Sequence, residues 1–362
     1  PIVQYPTHLP CALAPRDRRV TSRLVEIERE DAARRLVNDD SLWGPPAMAA
    51  HLEALQERSG QDLGTALRIA RNALFFLSGE RHAAARRAIA ECLGANRLAG
   101  WRSTIDAAVE AALDRLGAAR RPDLIADFAD PVFRDATKPV LGIEGPDPDR
   151  FDALAPVIQD VLQPWLPLRE LTRIQSAMAE LLSLMRIPGR AAGGAPPPLL
   201  TRLAEAGLAE FDEADLKALT LVLYGASFNT RHTLGNLLHH LLSAPPAERV
   251  GADDPAWIED RLEGLLALCA APKYIYRMAR TEASLGECPI RRNDTLRFRL
   301  LTINRAGEAG HLAFGHGLRR CVGAALARRI LSAAIPALFE RYPNIALLPQ
   351  RHSYLPMTQT VA

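Results

Sequence analysis

The sequence predicts a mainly α protein, a large helical domain with a small β part, and three observations carry this. Apolar residues recur at spacings of three and four over 28–38, 46–58, 81–93, 98–119, 150–163, 168–186, 197–207, 212–243, 255–271 and 321–341, the period of helices that bury one face. Side chains suited to helix N-caps stand before several of these stretches, at Ser78-Gly79-Glu80, Asp212-Glu213-Ala214-Asp215 and Asp253-Asp254-Pro255, where an oxygen can accept from first-turn N–H groups. Strand signals are few and late. Ser284 to Ile290, an Arg291-Arg292-Asn293-Asp294 turn, and Thr295 to Ile303 with alternation at Leu296, Phe298 and Leu300 predict a hairpin, and Leu24-Val25-Glu26-Ile27 predicts a short early strand.

At ~150 residues per domain, 362 residues would allow two domains. The one low-complexity stretch, Pro188 to Pro198, is flanked by similar helical patterns and reads as an exposed loop. One domain over 1–362 is therefore expected, with its β-containing part at about 15–45 and 273–305. A hydrophobic content of 48% with 24% charged residues excludes disordered, collagen-like and disulfide-scaffold classes. No apolar run approaches the ~18 residues of a membrane span. The start PIVQYPTHLPC lacks the basic and apolar regions of a signal peptide, so a cytoplasmic protein without membrane contact is expected. A net charge of +2 gives no argument for a nucleic-acid partner. Forty-one arginines against three lysines (Lys138, Lys217, Lys273) reflect a GC-rich bacterial genome. The five cysteines (Cys11, Cys92, Cys269, Cys288, Cys321) are odd in number and scattered, with no CxxC pair and no histidine at zinc spacing.

The segment that carries chemistry is His311-Leu312-Ala313-Phe314-Gly315-His316-Gly317-Leu318-Arg319-Arg320-Cys321-Val322-Gly323-Ala324-Ala325-Leu326-Ala327-Arg328. Gly315 and Gly317 permit a tight loop, and the apolar run after Cys321 begins a long helix. A cysteine at a helix N-terminus, flanked by Arg319 and Arg320, is expected to have its thiolate stabilised by backbone N–H groups and positive charge, which makes it a soft metal ligand. Gly323 removes a side chain where a flat cofactor would lie.

This stretch resembles the haem-ligand loop of the cytochrome P450 family, Phe-Gly-x-Gly-x-x-x-Cys-x-Gly followed by a helix with Leu-Ala-Arg. The matches are Phe314, Gly315, Gly317, Cys321, Gly323 and Leu326-Ala327-Arg328. The resemblance extends over nearly the whole chain. It implies a cytochrome P450 fold with a haem-ligand loop at 311–323, haem b as cofactor, and Cys321 as the thiolate that pushes electron density onto iron. His82 and Arg86 are similar to the family's His-x-x-x-Arg helix, and with Arg277 and Arg319 they would hold the haem propionates, two negative charges that need convergent cations.

The resemblance also exposes departures. Leu221-Val222-Leu223-Tyr224-Gly225 resembles the apolar lead into the family's Ala-Gly-x-Glu/Asp-Thr, on the helix that crosses the haem and relays protons. Anchored on Gly225, with Tyr224 and Gly225 against the haem, the acid position is Ser227 and the alcohol position Phe228. Phe228 would dry the pocket, on a face shared with Asn229 and His232. Asn229 would order a water, and Thr230 would serve if the register slips. The family's Glu-x-x-Arg pair has no match in 258–271, where Gly264 and Ala267 occupy its positions, and the meander after Asn304-Arg305 is nearly deleted. Losing pair and meander arginine together costs less than leaving one buried charge unpaired.

Partners follow from the same resemblance. Arg86, Arg87, Arg319, Arg320, Arg328 and Arg329 would form a basic face that steers an acidic ferredoxin or flavodoxin, fed by an NAD(P)H-dependent reductase. A small-molecule substrate would meet 60–77, 163–200 and the Tyr224 to His232 face, where Leu74, Phe75, Phe76, Tyr224 and Phe228 suit an apolar or aromatic group and Asn229 or Arg231 a polar one. Three readings stand: a haem-thiolate monooxygenase of bacterial specialised metabolism, including antibiotic biosynthesis; a peroxide-using or non-oxidative haem enzyme that performs rearrangement, bond formation or nitrogen transfer; and a non-catalytic recruitment domain.

Overall fold

The computed structural model describes residues 23–40, 43–45, 47–160, 167–189, 196–285, 288–306 and 310–348. The fold is mainly α. Its centre is the helix Glu213–Ser243, which buries Leu219, Leu221, Leu234 and Leu237 completely. A capping box fixes where it starts, since Asp212 accepts from the Asp215 N–H at 2.7 Å and Asp215 accepts from the Asp212 N–H at 3.4 Å. Against it pack Gly64–Asn72, Asp130–Leu141, Pro255–Cys269 and Ala324–Arg341, and Gly79–Leu93 and Arg102–Ala118 contribute to the same apolar core.

Among the described residues six strands stand to one side: β1 (Leu24–Ile27), β2 (Trp43–Gly44), β3 (Tyr274–Ala279), β4 (Ala283–Leu285), β5 (Cys288–Ile290) and β6 (Thr295–Arg299). The larger sheet has the order β1-β6-β3-β2, with β1 parallel to β6 and β3 antiparallel to both its neighbours. Ile27, Leu296, Phe298 and Ala279 form a second core beneath the helix Glu30–Val37, which buries Ala33, Leu36 and Val37 against them.

The predicted late hairpin is corrected in two ways. Ser284 to Ile290 is a hairpin of its own, β4 against β5, and β6 pairs instead with β3 and β1. The second predicted strand ends at Arg299, because Leu300 to Ala306 is helical. Leu300, Ile303 and Asn304 are all buried, and their spacing of three and four suits a helix facing the second core better than a strand. The turn lies where the sequence places it. Asn293 takes φ +72°, which asparagine tolerates, and Asp294 donates its N–H to the Arg291 carbonyl at 3.0 Å. Two helices were not foreseen, Gly64–Asn72 and Asp130–Leu141. The second carries Pro131 in its first turn, where proline costs a helix least, and Pro139 inside it near the end. Cys11 and residues 15–22 of the expected β part lie outside the described residues.

Candidate active site

The loop before Ala324–Arg341 is shaped by its glycines. Gly317 has φ +66°, and a Cβ there would lie 1.6 Å from Asn38 Oδ1, the atom that accepts from the Leu318 N–H at 3.2 Å. Gly315 has φ +69° and donates its N–H to the Leu312 carbonyl at 2.8 Å. The Cys321 N–H then reaches back to the Phe314 carbonyl at 2.7 Å. At Gly323 a Cβ would meet the Cys321 Sγ at 3.9 Å and nothing else within 4 Å, so this residue opens directly onto the space in front of the sulfur.

That space is a cavity of about 1300 Å³, larger than the roughly 300–1,000 Å³ of ordinary small-ligand pockets. Cys321, Gly323, Phe314, Gly315 and Arg319 line it from the loop, and His82, Arg86 and Arg277 from neighbouring elements. Among the described residues no three histidine, cysteine or acidic side chains converge as a metal site. A metal at Cys321 would thus take one protein ligand and need the rest from a cofactor.

Electrostatics sharpen the requirement. Arg319 is held by Asp40 at 3.0 Å and by the Leu77 carbonyl at 3.0 Å, yet its buried Nη2 has no hydrogen-bond partner. The buried Nε of Arg277 also lacks one. Burial, and then the charge of Arg319, lower the Arg277 pKa to about 10, with Asp40 opposing. Burial, Arg319 and Arg86 lower that of His82 to about 4. Burial first lowers Arg86 as well, although its Nη2 bonds the Arg320 carbonyl at 2.7 Å. Crowded cations with unused buried donors are what a dianionic ligand would relieve.

Two effects oppose one another at the Cys321 thiol: desolvation raises its pKa, while the Gly323 N–H and the charges of Arg86, Arg328 and Arg320 lower it as expected. Arg319, expected to stabilise the thiolate, is spent on Asp40.

The helix Glu213–Ser243 supplies another wall, in a register different from the expected one. Leu223, Ala226, Ser227, Asn229, Thr230 and Thr233 line the cavity. Tyr224, Gly225 and Phe228 do not. Phe228 is 4% exposed and packs on Phe133 and Tyr224, with ring centroids 4.9 Å and 5.3 Å away. Gly225 faces Ile158, whose Cγ2 would lie 2.2 Å from a Cβ. Gly225 and Phe228 therefore face away from the cavity, contrary to the expected register, and the polar side chains on this wall are Ser227, Asn229, Thr230 and Thr233. Phe228 dries no pocket. His232 bonds Gln159 at 2.8 Å and Arg231 pairs with Asp130 at 2.8 Å, neither lining the cavity. Ser227 and Asn229 use their Oγ and Nδ2 on the helix's own carbonyls, Tyr224 at 2.7 Å and Ala226 at 3.1 Å. Thr233 and Asn236, which the sequence reading passed over, tie this helix to the end of Pro255–Cys269 by accepting from the Ala271 N–H at 3.1 Å and donating to the Cys269 carbonyl at 2.9 Å. Leu74, Phe75 and Phe76 line the cavity as expected.

The six arginines read as one basic face divide. Arg86, Arg319 and Arg320 line the cavity, Arg328 pairs with Glu263 and Arg329 with Asp106, and Arg87 and Arg320 are exposed. Among the described residues no helix is long and apolar enough to cross a membrane.

No family model matches the chain. Similarity to individual proteins is extensive. Cytochrome P450 107B1 of Saccharopolyspora erythraea is 28% identical over 285 residues, covering 74% of this chain and 69% of its own. The 20-oxo-5-O-mycaminosyltylactone 23-monooxygenase of Streptomyces fradiae is 28% identical over 342 residues, covering 88% and 77%. Cytochrome P450 monooxygenase PikC of Streptomyces venezuelae is 27% identical over 289 residues, covering 74% and 68%. Among solved structures, P450BioI in complex with an acyl carrier protein carrying hexadec-9Z-enoic acid superposes with a TM-score of 0.79 at 18% identity, over 93% of this chain and 90% of its own.

The chain is similar to several cytochrome P450 proteins over most of its length and shares the fold of a solved one, and haem is the cofactor of that family. The cavity residues fit that group, since one sulfur, a glycine-cleared approach and buried guanidinium donors without partners match one axial ligand, a flat ring and two carboxylates.

Proposed function

We propose that this chain is a bacterial haem-thiolate monooxygenase that oxidises a small apolar organic substrate in specialised metabolism. The observation that carries the reading is the convergence of Cys321 with the unpartnered Arg277 Nε and Arg319 Nη2 on one cavity. When bound, the haem supplies oxygen activation at its iron. Cys321 Sγ is its protein ligand, the Gly323 N–H donates to that sulfur, and His82, Arg86, Arg277 and Arg319 hold the propionates. Leu74, Phe75, Phe76 and Leu223 exclude water around the substrate. Thr230 Oγ1 passes protons to the oxygen side. Asn229 Oδ1 orders a water there but has no proton of its own to give, because its amide does not titrate.

Electrons come from an acidic ferredoxin or flavodoxin with an NAD(P)H-dependent reductase, approaching over the exposed Arg87 and Arg320. The two antibiotic-type relatives, one named for a tylactone derivative and the other PikC, support a specialised metabolite as substrate, and P450BioI, crystallised with its acyl carrier protein, supports weighing a carrier-bound one. A second reading, peroxide-driven or non-oxidative chemistry, is favoured by a helix wall whose polar side chains, Ser227, Asn229, Thr230 and Thr233, are all neutral.

The first test is the absorption spectrum of the reduced, CO-bound protein. A thiolate-type Soret band is expected in the wild type and not in Cys321→Ala; a wild type that takes up no haem sinks both readings. Turnover with ferredoxin, reductase and NAD(P)H against turnover with peroxide then separates them.

A further inference from the structure

We propose that Glu263, His311 and Arg328 form a clamp that positions the Cys321 loop, doing from three separate elements what the missing Glu-x-x-Arg pair does not do here. The inference rests on the reading of Cys321 as the iron ligand.

Glu263 lies on the helix Pro255–Cys269, His311 at the entry of the loop and Arg328 in the first turns of the helix that leaves it. One carboxylate holds both ends. Its Oε1 accepts from Arg328 Nε at 2.6 Å and its Oε2 from Arg328 Nη2 at 2.8 Å, a bidentate pair. Oε2 also receives His311 Nε2 at 3.0 Å. The other ring nitrogen, Nδ1, accepts from the Ala313 N–H at 3.1 Å, so the proton sits on Nε2 and the ring is a donor to Glu263. The histidine side chain is 6% exposed, which leaves it little freedom to leave this geometry.

The clamp reaches the sulfur in two steps. The Arg328 guanidinium lies 4.4 Å from the centre of the Phe314 ring, on the face of the residue whose carbonyl accepts from the Cys321 N–H. Glu263 therefore fixes Arg328, Arg328 fixes Phe314, and Phe314 fixes the backbone of Cys321. The Glu263 side chain is itself 56% exposed, so the pair adds little to global stability, and a purely stabilising role would be a poor use of a bidentate contact. These three are positioning residues; none touches the reacting atoms.

The test compares Glu263→Ala, Glu263→Gln, Arg328→Ala and Arg328→Lys with Arg341→Ala, which removes an exposed arginine paired with Glu110 and Asp114 far from the loop. Two readouts are taken on purified holoprotein: the thiolate-bound fraction in the reduced, CO-bound spectrum and the rate of haem transfer to a scavenger globin. Both alanine variants at the clamp are expected to lose thiolate fraction and to release haem faster by roughly tenfold, the lower end of what outer partners of metal ligands are worth. Glu263→Gln and Arg328→Lys, which keep part of the contacts, should fall between, and Arg341→Ala should match the wild type. Thermal midpoints of the haem-free forms should coincide. Wild-type thiolate fraction and haem release in Glu263→Ala and Arg328→Ala overturn the clamp. A wild type without the thiolate band overturns the underlying reading instead.

Discussion

Phe228 and Phe133 pack ring against ring, with centroids 4.9 Å apart, on the side of the long helix turned away from the cavity. Both are nearly fully buried. Phe228 is thus part of the core, and Phe228→Ala should cost about 3–5 kcal/mol of stability, the usual range for a buried phenylalanine. Urea unfolding of the haem-free protein checks this. The same contact predicts that Phe228→Thr brings no alcohol to the cavity and does not raise product formed per NAD(P)H consumed.

Thr230 lines the cavity one residue after Asn229 and carries the alcohol of the proposed proton relay. Thr230→Val removes a hydroxyl of the relay while keeping shape, and should lower productive turnover within the ~10²–10⁴ range that positioned proton donors contribute. Asn229→Asp introduces a titratable group and should raise it. Steady-state product and NAD(P)H consumption measured together separate slow chemistry from uncoupling. Equal turnover in wild type and Thr230→Val would point to protons delivered by the substrate's own groups.

The difference between these two positions shows what a single sequence can and cannot convey. The ligand loop was legible because its chemistry is local: Phe314, Gly315, Gly317, Cys321 and Gly323 stand together in one short stretch, and φ +69° at Gly315 and +66° at Gly317 favour glycine in the loop itself. The helix was legible as a helix, but its register was not. Each residue turns the face by about 100°, and Tyr224-Gly225-Ala226-Ser227 offers no side chain that marks which residue begins the cavity wall. Ile158 and Phe133, distant in sequence, decide it by filling the space beside Gly225 and Phe228. The β3–β6 pairing was hidden for a related reason, since Tyr274 to Ala279 is recognisable as a strand mainly through its partner.

Arg277 and Arg319 differ in what holds them, and haem retention should report it. Arg277 makes one bond, to the Tyr276 carbonyl at 3.0 Å. Arg277→Leu should weaken haem binding by roughly ten- to a hundredfold, the worth of a hydrogen bond to a charged group. Arg319→Leu should do more damage, because it also strands Asp40 and breaks the tie to Leu77. Haem titration of the reconstituted variants gives the order.

Arg87 and Arg320 are the exposed members of the expected basic face. Reversing both to glutamate should raise the KM for an acidic electron donor and flatten its dependence on ionic strength, since steering by charge is screened over about 10 Å at 0.1 M salt. Turnover driven by peroxide, which needs no docking, should be unchanged by Arg87→Glu alone.

His232 sets a pH dependence away from the haem site. Its ring nitrogen Nε2 accepts from Gln159 Nε2 at 2.8 Å, and burial, then the charge of Arg231, lower its pKa to about 4 from 6.5. The folded state therefore prefers the neutral ring. The stability this contributes is fully present above pH 6.5 and is lost as pH falls from 6.5 towards 4, because the unfolded chain binds the proton first. At ~1.36 kcal/mol per pK unit, complete loss amounts to about 3 kcal/mol. Thermal unfolding of the haem-free protein should steepen in its pH dependence across that window. His82, lowered to about 4 by burial and two arginines, adds a parallel loss, so His232→Leu should remove part of the slope and leave the remainder. Because Gln159 then lacks its acceptor, the variant should be less stable than the wild type at pH 7.5 and should converge on it near pH 4. A slope unaltered by the substitution would mean that the ring is already charged in the folded protein.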